Sequence, residues 1–145
     1  MDDPQQQAER QAARLWEGDL ASQGLGIALT SVGPGRATAT MTVTPALVNG
    51  HGTCHGGYLF LLADSAFAFA CNTRGADAVA AGADVSFLAP VREGDVLVAE
   101  AVERVLRGRS GLYDVTVRRG DEPVLEFRGR SRSLPPRTSP PRNGP

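Results

Sequence analysis

The chain has 145 residues, room for one domain with a modest core and little for a second. Hydrophobic residues make up 41% of it and the formal net charge is −1. These values exclude an obviously disordered chain and argue against a nucleic-acid binder that works by bulk positive charge.

Residues 5–20 carry Ala8, Ala12, Leu15 and Trp16 at helical spacing among Gln, Glu and Arg, which predicts a helix. Ile27–Val32 and Ala37–Val43 read as strands, joined by the turn signal Gly33-Pro34-Gly35 as a hairpin. Pro45–Cys54 reads as a loop. From Gly57 to Asn72 the chain is at its most apolar. Its Leu and Ala content and its length favour a helix buried on most sides, with Gly75 as its stop. The remainder reads as strands: Val79–Leu88, Val96–Leu106, an alternating run around Tyr113, Val115 and Val117, and Val124–Ser131. Turns fall at Gly108–Gly111 and Gly120-Asp121. Pro135–Pro145 is Pro-rich and predicted to be disordered or extended. One apolar helix and about six antiparallel strands give an α+β fold, in which a single sheet wraps the long helix to cover its apolar face. Such a small sheet has open edges that a second copy could pair, so homo-oligomerisation is expected.

All 15 basic residues are Arg, which removes Schiff-base lysine chemistry. Cys54 and Cys71 make no disulfide framework. The polar N-terminus shows no signal-peptide core, and the apolar run Tyr58–Cys71 is too short to cross a bilayer. The chain therefore reads as soluble and cytoplasmic, with no membrane or nucleic-acid partner.

Asp64 is the only charged residue between His55 and Arg74. A buried carboxylate must be paired, neutralised or put to work. The residues alone leave two readings open: a functional group, or an acid on a solvated helix edge or paired with an Arg. Directly before the helix runs Asn49-Gly50-His51-Gly52-Thr53-Cys54-His55-Gly56-Gly57. Glycines let backbone approach a ligand, and a helix start offers unpaired N–H groups to a developing oxyanion. A tight loop-to-helix turn explains the same glycines. His51, Cys54 and His55 fit zinc spacing poorly, so no metal is expected. Ser65 does not sit in a nucleophile elbow, and no phosphate-loop or dinucleotide fingerprint is present.

The same stretch, continued by Leu59-Phe60, Leu62-Ala63-Asp64, Ala66-Phe67 and Ala68 through Asn72, resembles the signature of hot-dog-fold acyl-CoA thioesterases, the phenylacetic-acid-degradation type above all. The resemblance implies a hot-dog domain over residues 1–134 with the Pro-rich tail outside it. It implies hydrolysis of acyl-CoA, phenylacetyl-CoA or a ring-hydroxylated form of it, to free acid and CoA. Asp64 would be the catalytic carboxylate, as general base or nucleophile. The Gly56 N–H would polarise the thioester carbonyl, His55 would shape the loop, and Asn49 would position the water or the carboxylate. The resemblance implies no metal or redox cofactor, coenzyme A being part of the substrate. It also implies a site formed across a dimer interface, in a dimer or dimer of dimers. Some relatives carry a Ser or Thr on the strand after the helix; Ala80-Ala81-Gly82-Ala83-Asp84 offers no such hydroxyl. Arg92, Arg107 and Arg109 are candidate partners for nucleotide phosphates and equally good surface residues. A hot-dog hydratase is disfavoured because no His follows Asp64. The remaining alternative is a non-catalytic acyl-CoA sensor on the same fold.

Overall fold

A computed structural model describes residues 3–136. Met1, Asp2 and the Pro-rich stretch from residue 137 lie outside the described residues. The elements run α1 (Pro4–Gly18), α2 (Leu20–Gly24), β1 (Ala28–Gly33), β2 (Arg36–Thr42), α3 (Gly56–Cys71), β3 (Ala78–Phe87), β4 (Val96–Arg107), β5 (Ser110–Arg119) and β6 (Glu122–Ser133). All six strands form one antiparallel sheet in the order β1-β2-β4-β5-β6-β3. The sheet curls around α3, which touches every strand. This is the sheet wrapped around one long helix that the residue pattern predicted, and the hot-dog arrangement that the resemblance implied.

The 16-residue α3 buries Leu59, Leu62, Ala63, Ala66, Phe67 and Phe69 against inward residues of the sheet. Phe67 is 1% exposed and packs against Tyr113 and Phe127 at ring separations of 5.6 and 5.7 Å. Its ring lies over Gly129, where a Cβ would come within 2.8 Å of the ring atoms, so only glycine fits beneath it. Truncating such a ring typically costs about 3–5 kcal/mol. At the far end of α3, Asn72 ties the helix to the next strand. Its amide donates to the carbonyls of Ala68 and Ala78, and its oxygen accepts from the Ala78 N–H.

Three expected boundaries are corrected. The apolar helix, expected to stop at Gly75, ends at Cys71 with Asn72 as its C-cap. The helix expected over 5–20 ends at Gly18, and a second short helix follows. Asp19 leaves helical geometry (φ −88°, ψ 70°) and its carboxylate accepts from the Ser22 N–H and hydroxyl, which starts α2. The turn expected at Gly108–Gly111 is tighter: Arg107 already pairs with Ser110, and Gly111 is a strand residue opposite Leu106.

The two sheet edges differ. At β1, Gln5 of α1 donates to the Val32 carbonyl at 2.8 Å, and α1 packs along the strand. At β3, the strand is small and apolar, a bulge falls between Ala80 and Gly82, and most of its residues are exposed.

Candidate active site

The loop before α3 is closed on itself. The Asn49 N–H donates to the Thr53 carbonyl at 2.7 Å, and Val48 bridges Cys54. The Asn49 side-chain oxygen accepts from the His51 N–H, the Thr53 N–H and the Thr53 hydroxyl. Gly52 takes a positive φ of 77°, the left-handed geometry that this turn requires. Asn49 thus spends its oxygen on the loop and keeps its amide for other partners.

At the helix start, nearly every N–H is engaged. Cys54 donates to the Val91 carbonyl, His55 to that of Leu47, and Tyr58 and Leu59 to that of His55. The Gly57 N–H donates to Nδ1 of His55 at 2.9 Å, so His55 is the N-cap and carries its proton, when neutral, on Nε2. Among the described residues, only the Gly56 N–H of this series has no acceptor. It is a single outward donor on a fixed backbone, at the positive end of a four-turn helix. Gly56 has backbone geometry open to any residue, but a Cβ there would come within 3.1 Å of the Phe87 ring.

Asp64 sits mid-helix on the stripe Gly57, Leu61, Asp64, Ala68 and Asn72, the least covered face of α3. The stripe is otherwise uncharged. Asp64 has no hydrogen-bond or ion-pair partner among the described residues. Burial raises its pKa above the ordinary 3.8, and the carboxylate of Asp19 raises it further. The second reading left open by the residues alone is met in one part only: Asp64 lies on the least covered edge of the helix, and it pairs with no Arg among the described residues. Arg74, the first basic residue beyond it, is held bidentate by Glu103 at 2.8 and 3.2 Å.

Beside Asp64 lies a contact that the sequence did not reveal. Ser65 is 7% exposed, and its hydroxyl oxygen stands 2.7 Å from that of Ser22, which is 1% exposed and belongs to α2. Ser22 in turn donates to the Asp19 carboxylate at 2.7 Å. The only available signal was Asp19 itself, an N-cap residue directly after Gly18.

His51, Cys54 and His55 do not converge. Among the described residues no group of three His, Cys, Asp or Glu side chains could hold a metal ion. The Arg candidates also separate: Arg92 precedes β4, while Arg107 ends it. A 12-residue strand spans about 40 Å, so one chain cannot close both on one diphosphate. No helix among the described residues is long and apolar enough to cross a membrane.

Residues 51–126, more than half of the chain, match the Thioesterase superfamily. Acyl-coenzyme A thioesterase PaaI of Escherichia coli (strain K12) is 43% identical over 128 residues, covering 88% of this chain and 91% of its own length. A solved structure of the E. coli PaaI protein from the phenylacetic acid degradation operon superposes with a TM-score of 0.89 at 40% identity, over 92% of this chain and 97% of that one. The phenylacetic acid degradation protein PaaI of Thermus thermophilus, solved as a point variant, superposes with a TM-score of 0.78 at 38% identity, over 80% of this chain and all of that one. The chain therefore belongs to the thioesterase superfamily, with the hot-dog fold. Within it, this is an enzyme of the acyl-CoA thioesterase kind, similar to PaaI.

Proposed function

We propose that this thioesterase hydrolyses arylacetyl-CoA, phenylacetyl-CoA or its ring-hydroxylated forms, to the free acid and CoA, releasing CoA during phenylacetate catabolism in the cytoplasm. The observation that carries the reaction is Asp64: a half-buried, unpartnered carboxylate on an apolar helix face, made more basic than usual by its surroundings. As general base it takes a proton from water while the water oxygen bonds to the thioester carbon. The carbonyl oxygen becomes an oxyanion held by the Gly56 N–H. The carbon–sulfur bond then breaks, and the proton held by Asp64 passes to the departing CoA sulfur. Asn49 contributes its free amide to the water, and His55 keeps the loop in place. Coenzyme A enters as part of the substrate, and the scheme requires no metal or other cofactor.

Two copies of the chain supply one site in this proposal. Gly56 and Asp64 are eight residues apart on one helix, about 12 Å along its axis and about 80° around it. One thioester carbonyl, with its attacking water in line, needs both groups within about 3 Å of the reacting atoms. A second chain laid along the uncharged stripe, with β3 edges paired, brings the Gly56 of one copy opposite the Asp64 of the other. The exposed apolar edge of β3 supports that pairing, since the β1 edge is already occupied by α1. Dimers assembled further into tetramers would cover the remaining apolar surface.

The test is thiol release over phenylacetyl-, hydroxyphenylacetyl-, benzoyl-, short-chain and long-chain acyl-CoA, with Asp64→Asn beside the wild type. Preferred turnover of the arylacetyl substrates, lost in Asp64→Asn with binding retained, supports the proposal. Preference for a straight-chain substrate overturns the acyl assignment. Tight binding without turnover by the wild type would make the protein a sensor.

A further inference from the structure

The chain of contacts from Ser65 to Asp19 has a direction. Ser22 has one hydroxyl proton and donates it to the Asp19 carboxylate, which accepts and, having no proton of its own, cannot donate. The proton shared between the two serines must therefore come from Ser65. The result is an ordered path, Ser65 to Ser22 to the Asp19 carboxylate, with both hydroxyls buried. Asp19 also caps α2 by accepting from the Ser22 N–H at 3.0 Å. These bonds span 43 residues of sequence and hook α2 onto α3 at the residue next to Asp64.

We propose that Asp19 is a positioning residue of this site: through Ser22 and Ser65 it fixes α2 beside Asp64 and holds a second negative charge next to the carboxylate that activates water. This rests on the reaction assigned to Asp64 above. A native core would ordinarily keep two carboxylates apart, or place a cation between them. Here Arg14 of α1, which borders the same groove as Asp19, is tied to Asp77 at 3.0 Å. On α3 itself the Cys71 thiol is pushed up to about 12, chiefly by burial and in smaller part by the Asp64 carboxylate. The strands beneath α3 turn mainly apolar side chains inward; the buried polar ones among the described residues are Tyr113, whose hydroxyl donates to Glu103, and the uncharged Ser131. Among the described residues Asp19 is thus the one acid that acts on Asp64 from outside α3, and it acts in the direction that strengthens a general base.

The test uses full-length protein and follows the acid limb of the kcat/KM profile for the best thioester substrate, together with carboxyl NMR titration of Asp64. Asp19→Asn keeps a capping oxygen for the Ser22 N–H but removes the charge. Its acid limb and the Asp64 titration should move to lower pH than in the wild type. Ser65→Ala leaves every charge in the chain and breaks only the hook. It should move both readouts in the same direction and lower kcat/KM by about tenfold, as a displaced site would. A simple packing defect would lower stability without moving either titration. If both variants titrate like the wild type, the inference is overturned while the role of Asp64 stands. If Asp64→Asn retains full turnover, the parent reading fails, and the NMR titration still decides whether Asp19 acts on Asp64.

Discussion

The two halves of α3 solve opposite problems. At its start, loop and helix satisfy most of each other's needs, and of the N–H groups from Cys54 to Leu59 only that of Gly56 has no acceptor among the described residues. In its middle, Asp64 has no hydrogen-bond or ion-pair partner among the described residues, and the acid that acts on it is Asp19, the N-cap of α2. The first region is held by local bonds. The second, in the proposed reaction, owes its basicity to the compensation for a buried charge that is withheld there. An oxyanion donor must be fixed in place, whereas a base must be left wanting its proton.

Removing the unpaired charge should break this contrast most sharply. Asp64→Asn is expected to lower kcat by about 10²–10⁴. It should also stabilise the fold at neutral pH. The pKa of Asp64 is raised in the folded state, so its contribution to stability is full below the ordinary value of 3.8 and is lost as pH rises through the folded value. Asparagine escapes that loss. Melting temperatures measured across pH should therefore show a gain for Asp64→Asn near neutrality that vanishes in acid. A variant less stable at all pH values would mean that Asp64 makes a favourable contact in the fold.

The donor end is broken by Gly56→Pro. Proline is tolerated at the first position of a helix, where its missing N–H has no helical partner. His55, at φ −60° and ψ 131°, already has the extended geometry that precedes proline. The substitution deletes one N–H and little else, and about 10²–10³ in kcat should go with it. Gly56→Ala is the control: it meets Phe87 with the same Cβ at 3.1 Å but retains the N–H, and should keep most of the activity. Co-expressing Gly56→Pro with Asp64→Asn then sharpens the comparison. If each site draws its donor and base from different chains, mixed dimers contain one intact site and one doubly damaged one, so activity returns. Both variants remaining inactive together would place donor and base on the same chain.

The donor end was far more legible in the sequence than the setting of the base. The Gly-rich run, the apolar helix, the hairpins and the lone Asp64 are all local patterns, and periodicity reports local patterns. Asn49 and His55 stood out in that run, and their side chains are tied to loop and helix backbone. The break at Asp19 was missed because Leu20 and Ala21 continue the helical composition, and only the side-chain bond to Ser22 reveals the stop. The Ser22–Ser65 contact joins residues with no sequence relation, so no spacing rule could find it. Likewise, nothing in the order of strands says that β3 crosses the sheet to pair with β6, leaving its apolar edge open.

His55 gives the smallest effect and the finest discrimination. Its Nδ1 accepts the Gly57 N–H, the work usually done by Ser, Asp or Asn at a helix start. His55→Ala should lose about 0.5–2 kcal/mol of stability, the usual range for a lost N-cap. Activity should fall modestly, because the neighbouring Gly56 N–H loses its fixed orientation. His55→Asn restores an acceptor of the right reach and should recover both stability and turnover. The logic lies in what asparagine cannot do: it caps a helix but does not titrate. Recovery in Asn with an unchanged pH profile assigns His55 to holding the donor. Recovery of stability alone, with turnover still missing, would assign its imidazole a proton in the reaction and move it from the rigid half of the site to the reactive one.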